Sequence, residues 1–401
     1  MKEIKYLQGI EKYGIDYDWK FLREEYKKLN CPPEVYDPTT APIDKVSYIF
    51  NLSIRSVGKT TSWLLWGMLM NKHYGTTICY VRETEEQTAP KFARDLLNVV
   101  NGYEHGRYIR QITDGKYNSV IYNAKRIYYT LRDESGKEID RAPEAFMIML
   151  SIDLASVYKS TLNVFRGDFF IVDEFIGKYY RDQTFEQFMD LLSTVGRRRR
   201  TNKIVMLANT IRYTSPWYRE FMIQREIKTL QPGSAVMMKT EKGTPIYIEM
   251  VEPKAKKEIE EHSMLYFGFD NPALAAITGT DVAWALPVSP RIKIEEDDRI
   301  ILKNIRIRTE EDLKINLVYN KAVGLHVNVY PATHRVFEDE ILLTLDPPES
   351  KRELWALGSG ELLRKIWDLY KRNMFRYSDN ETAALLDDYV RRARDAMRGR
   401  I

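Results

Sequence analysis

Residues 53 to 60 read Ser-Ile-Arg-Ser-Val-Gly-Lys-Thr and stand directly after the apolar run 46–52 and before a helix-forming stretch. A helix N-terminus presents unpaired backbone N–H groups and the positive end of the helix dipole, so a phosphate settles there readily. In that setting Gly58 lets the backbone approach the phosphates, Lys59 reaches the β and γ oxygens, and the Thr60 hydroxyl is positioned for Mg²⁺. The expected nucleotide-binding set is Ser53, Arg55, Ser56, Val57, Gly58, Lys59 and Thr60, with ATP and Mg²⁺ as the ligands. The loop departs from G-x-x-x-x-G-K-[ST] at its first position, where Ser53 replaces glycine, and again at Ser56.

A second constellation is Phe169-Phe170-Ile171-Val172-Asp173-Glu174-Phe175. Four consecutive apolar residues suit a strand buried on both faces of a parallel sheet, and ligands bind at the carboxyl ends of such strands. Asp173 is therefore expected to serve Mg²⁺ as a Walker B residue, and Glu174 to polarise the attacking water. Asn209 follows the apolar run 203–208, where a polar sensor of the γ-phosphate would stand; a turn-forming Asn after a strand reads the same way. Gly196 precedes four arginines, Arg197 to Arg200, either a solvated face or a source of an arginine finger for a neighbouring subunit.

These residues need a frame. The pattern predicts a charged helix over 19–29, a helix over 61–71, strand 76–81, helix 90–100, a hairpin between 108 and 131 turning at Asn123-Ala124-Lys125, strand 145–152, helix 186–192 and strand 203–208. Alternating strands and helices imply an α/β fold with a mostly parallel sheet. A charged helical linker is expected over 251–298, punctuated by prolines. Residues 299–401 then read as strands 301–307, 314–318, 324–330 and 334–345, closed by helices 360–371 and 381–398, a smaller α+β domain.

Composition excludes several classes. At 401 residues, 44% hydrophobic and 29% charged, the chain is an ordinary globular one of two or three domains. A net charge of +4 means that any polyanion site must arise from local clustering. Two cysteines, Cys31 and Cys79, imply a reducing compartment, and five scattered histidines supply no zinc-ligand spacing. No apolar run approaches the roughly 18 residues of a membrane span, so no membrane partner is expected.

Taken together, the phosphate loop with Arg55, Tyr80-Val81-Arg82, Lys159-Ser160, residues 171–176, Thr194-Val195 with Arg197, Leu207-Ala208-Asn209, and Leu317-Val318-Tyr319-Asn320 resemble the DNA-encapsidation ATPases of small tailed phages, the phi-twenty-nine-like group related to terminase large subunits. The resemblance implies an additional-strand (ASCE) P-loop ATPase domain over 1–250. It implies a homo-oligomeric ring, typically a pentamer, in the host cytoplasm and transiently at the capsid's portal vertex, moving double-stranded DNA inward. It assigns Glu174 as the catalytic carboxylate, Arg197 as a trans-acting finger, Lys159 as a second basic residue acting across the subunit boundary, Asn209 as the sensor and Arg55 as a γ-phosphate contact in cis. Tyr36 is the aromatic available to stack on adenine, plain packing before a turn being the competing role.

The C-terminal domain is expected to resemble a vestigial RNase H-like nuclease that docks to the portal or to a packaging RNA. Two-metal cleavage needs carboxylates converging from adjacent strands; strands 314–318 and 324–330 carry none, and Glu338-Asp339-Glu340 would point to opposite faces of one strand. Sequence-independent DNA gripping calls for basic side chains on phosphates, for which Lys91, Arg94, Lys178 and Arg181 are the candidates beside a solvated-surface role. Two alternatives use the same motifs: a terminase-like ATPase with a live nuclease, and a P-loop NTPase assembly factor that does not translocate.

Overall fold

The computed structural model describes residues 15–53, 57–102, 105–161, 167–176, 183–196, 201–209, 215–252, 292, 300–308, 312–321, 324–332, 340–345, 350–355, 360–372 and 374–398. Chain contacts divide it into two units, the first holding the described residues from 15 to 252 apart from Ser215, the second those from 292 onward. The first unit contains, in order, α1 (Trp19–Lys28), β1 (Tyr48–Leu52), α2 (Lys59–Tyr74), β2 (Thr77–Arg82), α3 (Pro90–Gly102), α4 (Arg107–Ile112), β3 (Ser119–Asn123), β4 (Arg126–Arg132), β5 (Glu138–Arg141), β6 (Met147–Ser151) and α5 (Ala155–Thr161). There follow β7 (Gly167–Asp173), α6 (Thr184–Val195), β8 (Lys203–Ala208), α7 (Pro216–Glu220), α8 (Gln224–Thr229), β9 (Ala235–Lys239) and β10 (Pro245–Met250).

One ten-stranded sheet runs in the order β3-β4-β6-β2-β7-β8-β1-β10-β9, with β5 also pairing with β4. Its centre, β6 through β10, is parallel. Antiparallel pairs finish both sides. All seven residues of β7 are buried, as a strand covered on both faces requires. The strand β8 lies between β1 and β7, with Leu52 opposite Ala208 and Asp173 opposite Leu207. The carboxyl ends of the phosphate-loop strand, the acidic strand and the strand ending before Asn209 therefore share one edge. Against this sheet α2 packs closely: a Cβ on Gly67 would lie 2.7 Å from Ile78 Cδ1 and 3.1 Å from Phe169 Cδ1.

The predicted elements of this unit are present; β5, α5, α7 and α8 stand beside them without having been expected, and two further differences concern the sheet. The stretch at Tyr108 is helical, not a strand: Tyr108, Ile109 and Ile112 are buried at helical spacing behind Gly106, and the hairpin begins only at Ser119. Its turn uses left-handed backbone at Ala124 (φ +49°) and Lys125 (φ +63°), the geometry of a tight primed turn. The chain between Asn209 and residue 250, where no element was expected, supplies β9 and β10, and β10 extends the parallel sheet beside β1.

In the second unit β11 (Ile300–Ile307), β12 (Leu313–Asn320), β13 (Gly324–Pro331), β14 (Ile341–Thr344), β15 (Glu353–Trp355), α9 (Glu361–Lys371), β16 (Phe375–Tyr377) and α10 (Asn380–Arg398) follow one another. The sheet order is β15-β14-β11-β12-β13-β16, an antiparallel meander flanked by parallel strands. Ile305, Ile307, Ile315, Leu317, Val327 and Val329 form one apolar face, and Leu363, Ile366, Leu386 and Tyr389 from α9 and α10 cover it. Glu340 is buried and accepts from Arg306 Nε at 2.9 Å, with Asp312 3.4 Å from the same guanidinium. Its carboxylate belongs to a core ion pair; Glu338 and Asp339 lie outside the described residues.

Candidate nucleotide-binding site

Gly58 caps α2 with φ +72°, a left-handed conformation natural to glycine, and a Cβ there would meet Val35 Cγ1 at 2.7 Å. Lys59 opens the helix and is 3% exposed. Its Nζ donates to Ser53 Oγ and, at 3.1 Å, to Asn209 Oδ1. The serine that replaces the first glycine thus supplies a hydroxyl that holds the lysine. Burial lowers the Lys59 pKa to about 7, with the charge of Asp173 working in the opposite direction.

Thr60 Oγ1 donates to Asp173 Oδ1 at 3.3 Å, joining residues 113 positions apart. A hydroxyl and a carboxylate at this separation fit a hard cation that keeps several waters and binds phosphate oxygens, which is how Mg²⁺ is held. Burial raises the Asp173 pKa above its ordinary value, and Arg82 counters it.

Arg82 closes β2, next to β7, where Val81 stands opposite Val172. One guanidinium nitrogen lies 3.3 Å from Asp173 Oδ2, the other donates to Glu174 Oε2 at 2.5 Å. The Tyr80 hydroxyl also donates to Asp173 Oδ2. Burial works against the Arg82 charge, but Tyr80, Asp173 and Glu174 more than offset it and raise its pKa. Glu174 has φ +52°, rare for a residue with a side chain, so the chain kinks where β7 ends. Its carboxylate is 43% exposed while that of Asp173 is 9% exposed. One acid is therefore shielded from solvent and the other open to it.

The structure gathers Ser53, Gly58, Lys59, Thr60, Asp173, Glu174 and Asn209 at one place. Val57 is buried, and its carbonyl accepts from Tyr36 N at 2.9 Å. Adenine stacking by Tyr36 is corrected: the ring is 5% exposed and packs 6.1 Å from the Trp63 ring, and its hydroxyl donates to Glu249 at 2.8 Å. Burial with a hydrogen-bonded tip leaves no open face for a base. Lys91 and Arg94 stand exposed on α3. Arg55, Ser56, Lys178, Arg181, Arg197 and the side chain of Lys159 lie outside the described residues. Sequence reasoning assigned no role to Arg82; its signal was a basic residue ending the strand that follows α2. Among the described residues no helix is long and apolar enough to cross a membrane.

No family model and no curated protein matches the chain. Solved structures do. The Phi-28 gp11 DNA packaging motor superposes with a TM-score of 0.51 at 15% identity, covering 90% of this chain and 98% of that one. The bacteriophage Phi-29 viral genome packaging motor assembly gives 0.52 at 14% identity, covering 90% and 99%. The chain has the fold of these phage packaging motors along nearly its whole length, as the resemblance in its motifs implied.

Proposed function

We propose that the chain is the ATPase subunit of a phage genome-packaging motor, a ring of identical copies, five by resemblance, that drives double-stranded DNA through the portal into a preformed capsid. The observation that carries this reading is the 3.3 Å approach of Thr60 Oγ1 to Asp173 Oδ1, with Lys59 tied to Asn209 beside it. Insertion of β8 between β1 and β7 supports assignment to the additional-strand class of P-loop ATPases. The shared fold with two motors described as DNA packaging machines supports the substrate.

In this mechanism the phosphates lie over the amides of Gly58 to Thr60, and Lys59 exchanges Ser53 and Asn209 for β and γ oxygens. Thr60 and Asp173 would hold Mg²⁺, which would neutralise phosphate charge. Glu174 leaves Arg82 to accept a hydrogen bond from the attacking water, and Asn209, released by the lysine, faces the γ-phosphate. Arg197 and Lys159 complete the site from a neighbouring copy. Lys91, Arg94, Lys178 and Arg181 meet DNA phosphates without reading bases. The second unit serves as a nuclease-like docking domain that does not cleave. Its mixed sheet under α9 and α10, and the engagement of Glu340 by Arg306, support that role.

ATP hydrolysis by the assembled protein, measured with and without double-stranded DNA, tests the proposal. Stimulation is expected; turnover indifferent to DNA leaves only a non-translocating NTPase. Arg197→Ala subunits mixed into wild-type rings should depress activity more than in proportion to their share, and a strictly proportional loss removes the trans-acting finger. Reproducible nicking of supercoiled plasmid in Mg²⁺ or Mn²⁺ would restore the live-nuclease alternative.

A further inference from the structure

Beside the phosphate loop lies a second polar cluster, buried at Tyr36, Asn51 and Trp63 and half-buried at Glu249, that takes no part in the chemistry above. Tyr36 Oη donates to Glu249 Oε2 at 2.8 Å, and Asn51 Nδ2 donates to the same oxygen at 2.9 Å. Trp63 Nε1 donates to Asn51 Oδ1 at 2.7 Å. The cluster joins the segment before β1, β1 itself, α2 and β10. Its partners are fixed by topology: Asn51 and Glu249 are opposite each other in the parallel pairing of β1 with β10.

The same tyrosine grips the loop through its main chain. Tyr36 N donates to Val57 O at 2.9 Å, and Tyr36 O accepts from Ser62 Oγ at 2.6 Å. Val35 occupies the space that a Cβ on Gly58 would need. In a trans peptide the C=O and the following N–H point in opposite directions in one plane. With the Val57 carbonyl turned toward Tyr36, the Gly58 N–H is turned away from it.

We propose that Glu249, with Tyr36 and Asn51, is a positioning group of the nucleotide site: it anchors the Val35–Tyr36 strap, and the strap presets the Val57–Gly58 peptide so that its N–H faces the phosphate before nucleotide arrives. This rests on the reading of Gly58 to Thr60 as a triphosphate cradle. A carboxylate on β10 near the edge of the sheet thereby acts on a loop at its centre. Preorganisation of this kind raises affinity because binding no longer has to order the loop. Glutamine at 249 keeps an acceptor for both donors, whereas leucine keeps the bulk and leaves the Tyr36 hydroxyl and Asn51 amide unpaired.

The test uses the full chain with Glu249→Gln, Glu249→Leu and Tyr36→Phe. A fluorescent ATP analogue with Mg²⁺ reports affinity, and hydrogen exchange of the peptide spanning 57–62 in nucleotide-free protein reports the strap. Glu249→Leu should weaken nucleotide binding about tenfold and Tyr36→Phe about threefold or more, the scale of one lost charge-assisted hydrogen bond partly transmitted to the loop. Glu249→Gln should stay within about twofold of wild type. Exchange at 57–62 should rise in Glu249→Leu and Tyr36→Phe and not in Glu249→Gln, while kcat at saturating ATP changes less than KM. Glu249→Leu or Tyr36→Phe protein with wild-type affinity and wild-type exchange at 57–62 overturns the proposal; should Glu249→Leu fail to fold, Tyr36→Phe, which deletes one hydroxyl, decides alone. Wild-type protein that binds no nucleotide would defeat the triphosphate reading instead, and the exchange measurement would still judge the strap by itself.

Discussion

Lys59 offers the sharpest quantitative consequence of the site. Its ammonium is 3% exposed and its pKa falls to about 7 because burial penalises the charge more than Asp173 rewards it. In nucleotide-free protein about one-tenth of the sites then carry a neutral lysine at pH 6, about half at pH 7 and about nine-tenths at pH 8. A triphosphate brings several negative charges to Nζ and restores the proton. Binding should therefore take up about 0.1, 0.5 and 0.9 proton at the three values, and affinity should weaken about fivefold between pH 7 and 8, about 1 kcal/mol. Calorimetric titration with a non-hydrolysable ATP analogue and saturating Mg²⁺, repeated in buffers of different ionisation enthalpy, measures the uptake directly. Asp173, whose carboxyl is raised by burial, contributes release on binding metal, opposite in sign and fading as pH rises. The sign for folding is separate. The lysine binds its proton less tightly folded than unfolded, so between about pH 7 and its ordinary 10.5 this group makes the nucleotide-free protein more stable as pH rises. Uptake below about 0.1 proton at pH 8, where about 0.9 is expected, would refute the reasoning that burial dominates at Nζ.

Four further outcomes follow from named contacts. Arg82→Ala leaves the buried Asp173 carboxylate without its cation, so unfolding in urea should show a loss of about 1–3 kcal/mol and hydrolysis should saturate at lower Mg²⁺, the site being more negative by one charge; an unchanged Mg²⁺ dependence would rule out the neutralising role. Gly58→Ala forces a side chain into left-handed backbone at about 1–2 kcal/mol as well as against Val35, so a Val35→Ala partner relieves only the collision and nucleotide binding should stay impaired in the double variant. Glu174→Gln should bind ATP and hydrolyse it about 10²–10⁴-fold more slowly, and undiminished turnover would show that the carboxylate does not act on the water. In the second unit Arg306→Met alone should cost about 3 kcal/mol by removing the guanidinium that the buried Glu340 carboxylate accepts from and leaving it Lys314 at 3.8 Å, whereas adding Glu340→Leu should recover most of it; a double variant as unstable as the single one would mean that the pair is not what holds this part of the core.

What could be read from the chain divides along a physical line. The proposed phosphate site is written contiguously: strand, loop and helix N-terminus lie within residues 48–74, and β7 announces itself by the apolar run Phe169 to Val172 ahead of an acidic pair. Lys59, Thr60 and Asp173 were therefore legible together with the parallel sheet that joins them. The hairpin turn at Ala124-Lys125 was legible for the same reason, although its first strand was drawn too early across α4, whose six residues are too few to establish a helical period.

Roles decided by which strands are neighbours were not legible. Arg82 matters because β2 lies beside β7, and Asn51 finds Glu249 because β10, 198 residues further on, lies beside β1. Nothing local to Pro245–Met250 marks it as part of the ten-stranded sheet, since its alternating burial also suits a solvated hairpin. Tyr36 shows the consequence: an aromatic ahead of a nucleotide loop suggests a stacking surface until a carboxylate 213 residues away claims its hydroxyl. Local sequence specifies the groups of the proposed phosphate site, and long-range pairing specifies how those groups are oriented. A substitution at Glu249 or Arg82 should accordingly alter the behaviour of the phosphate loop while leaving every residue of that loop in place.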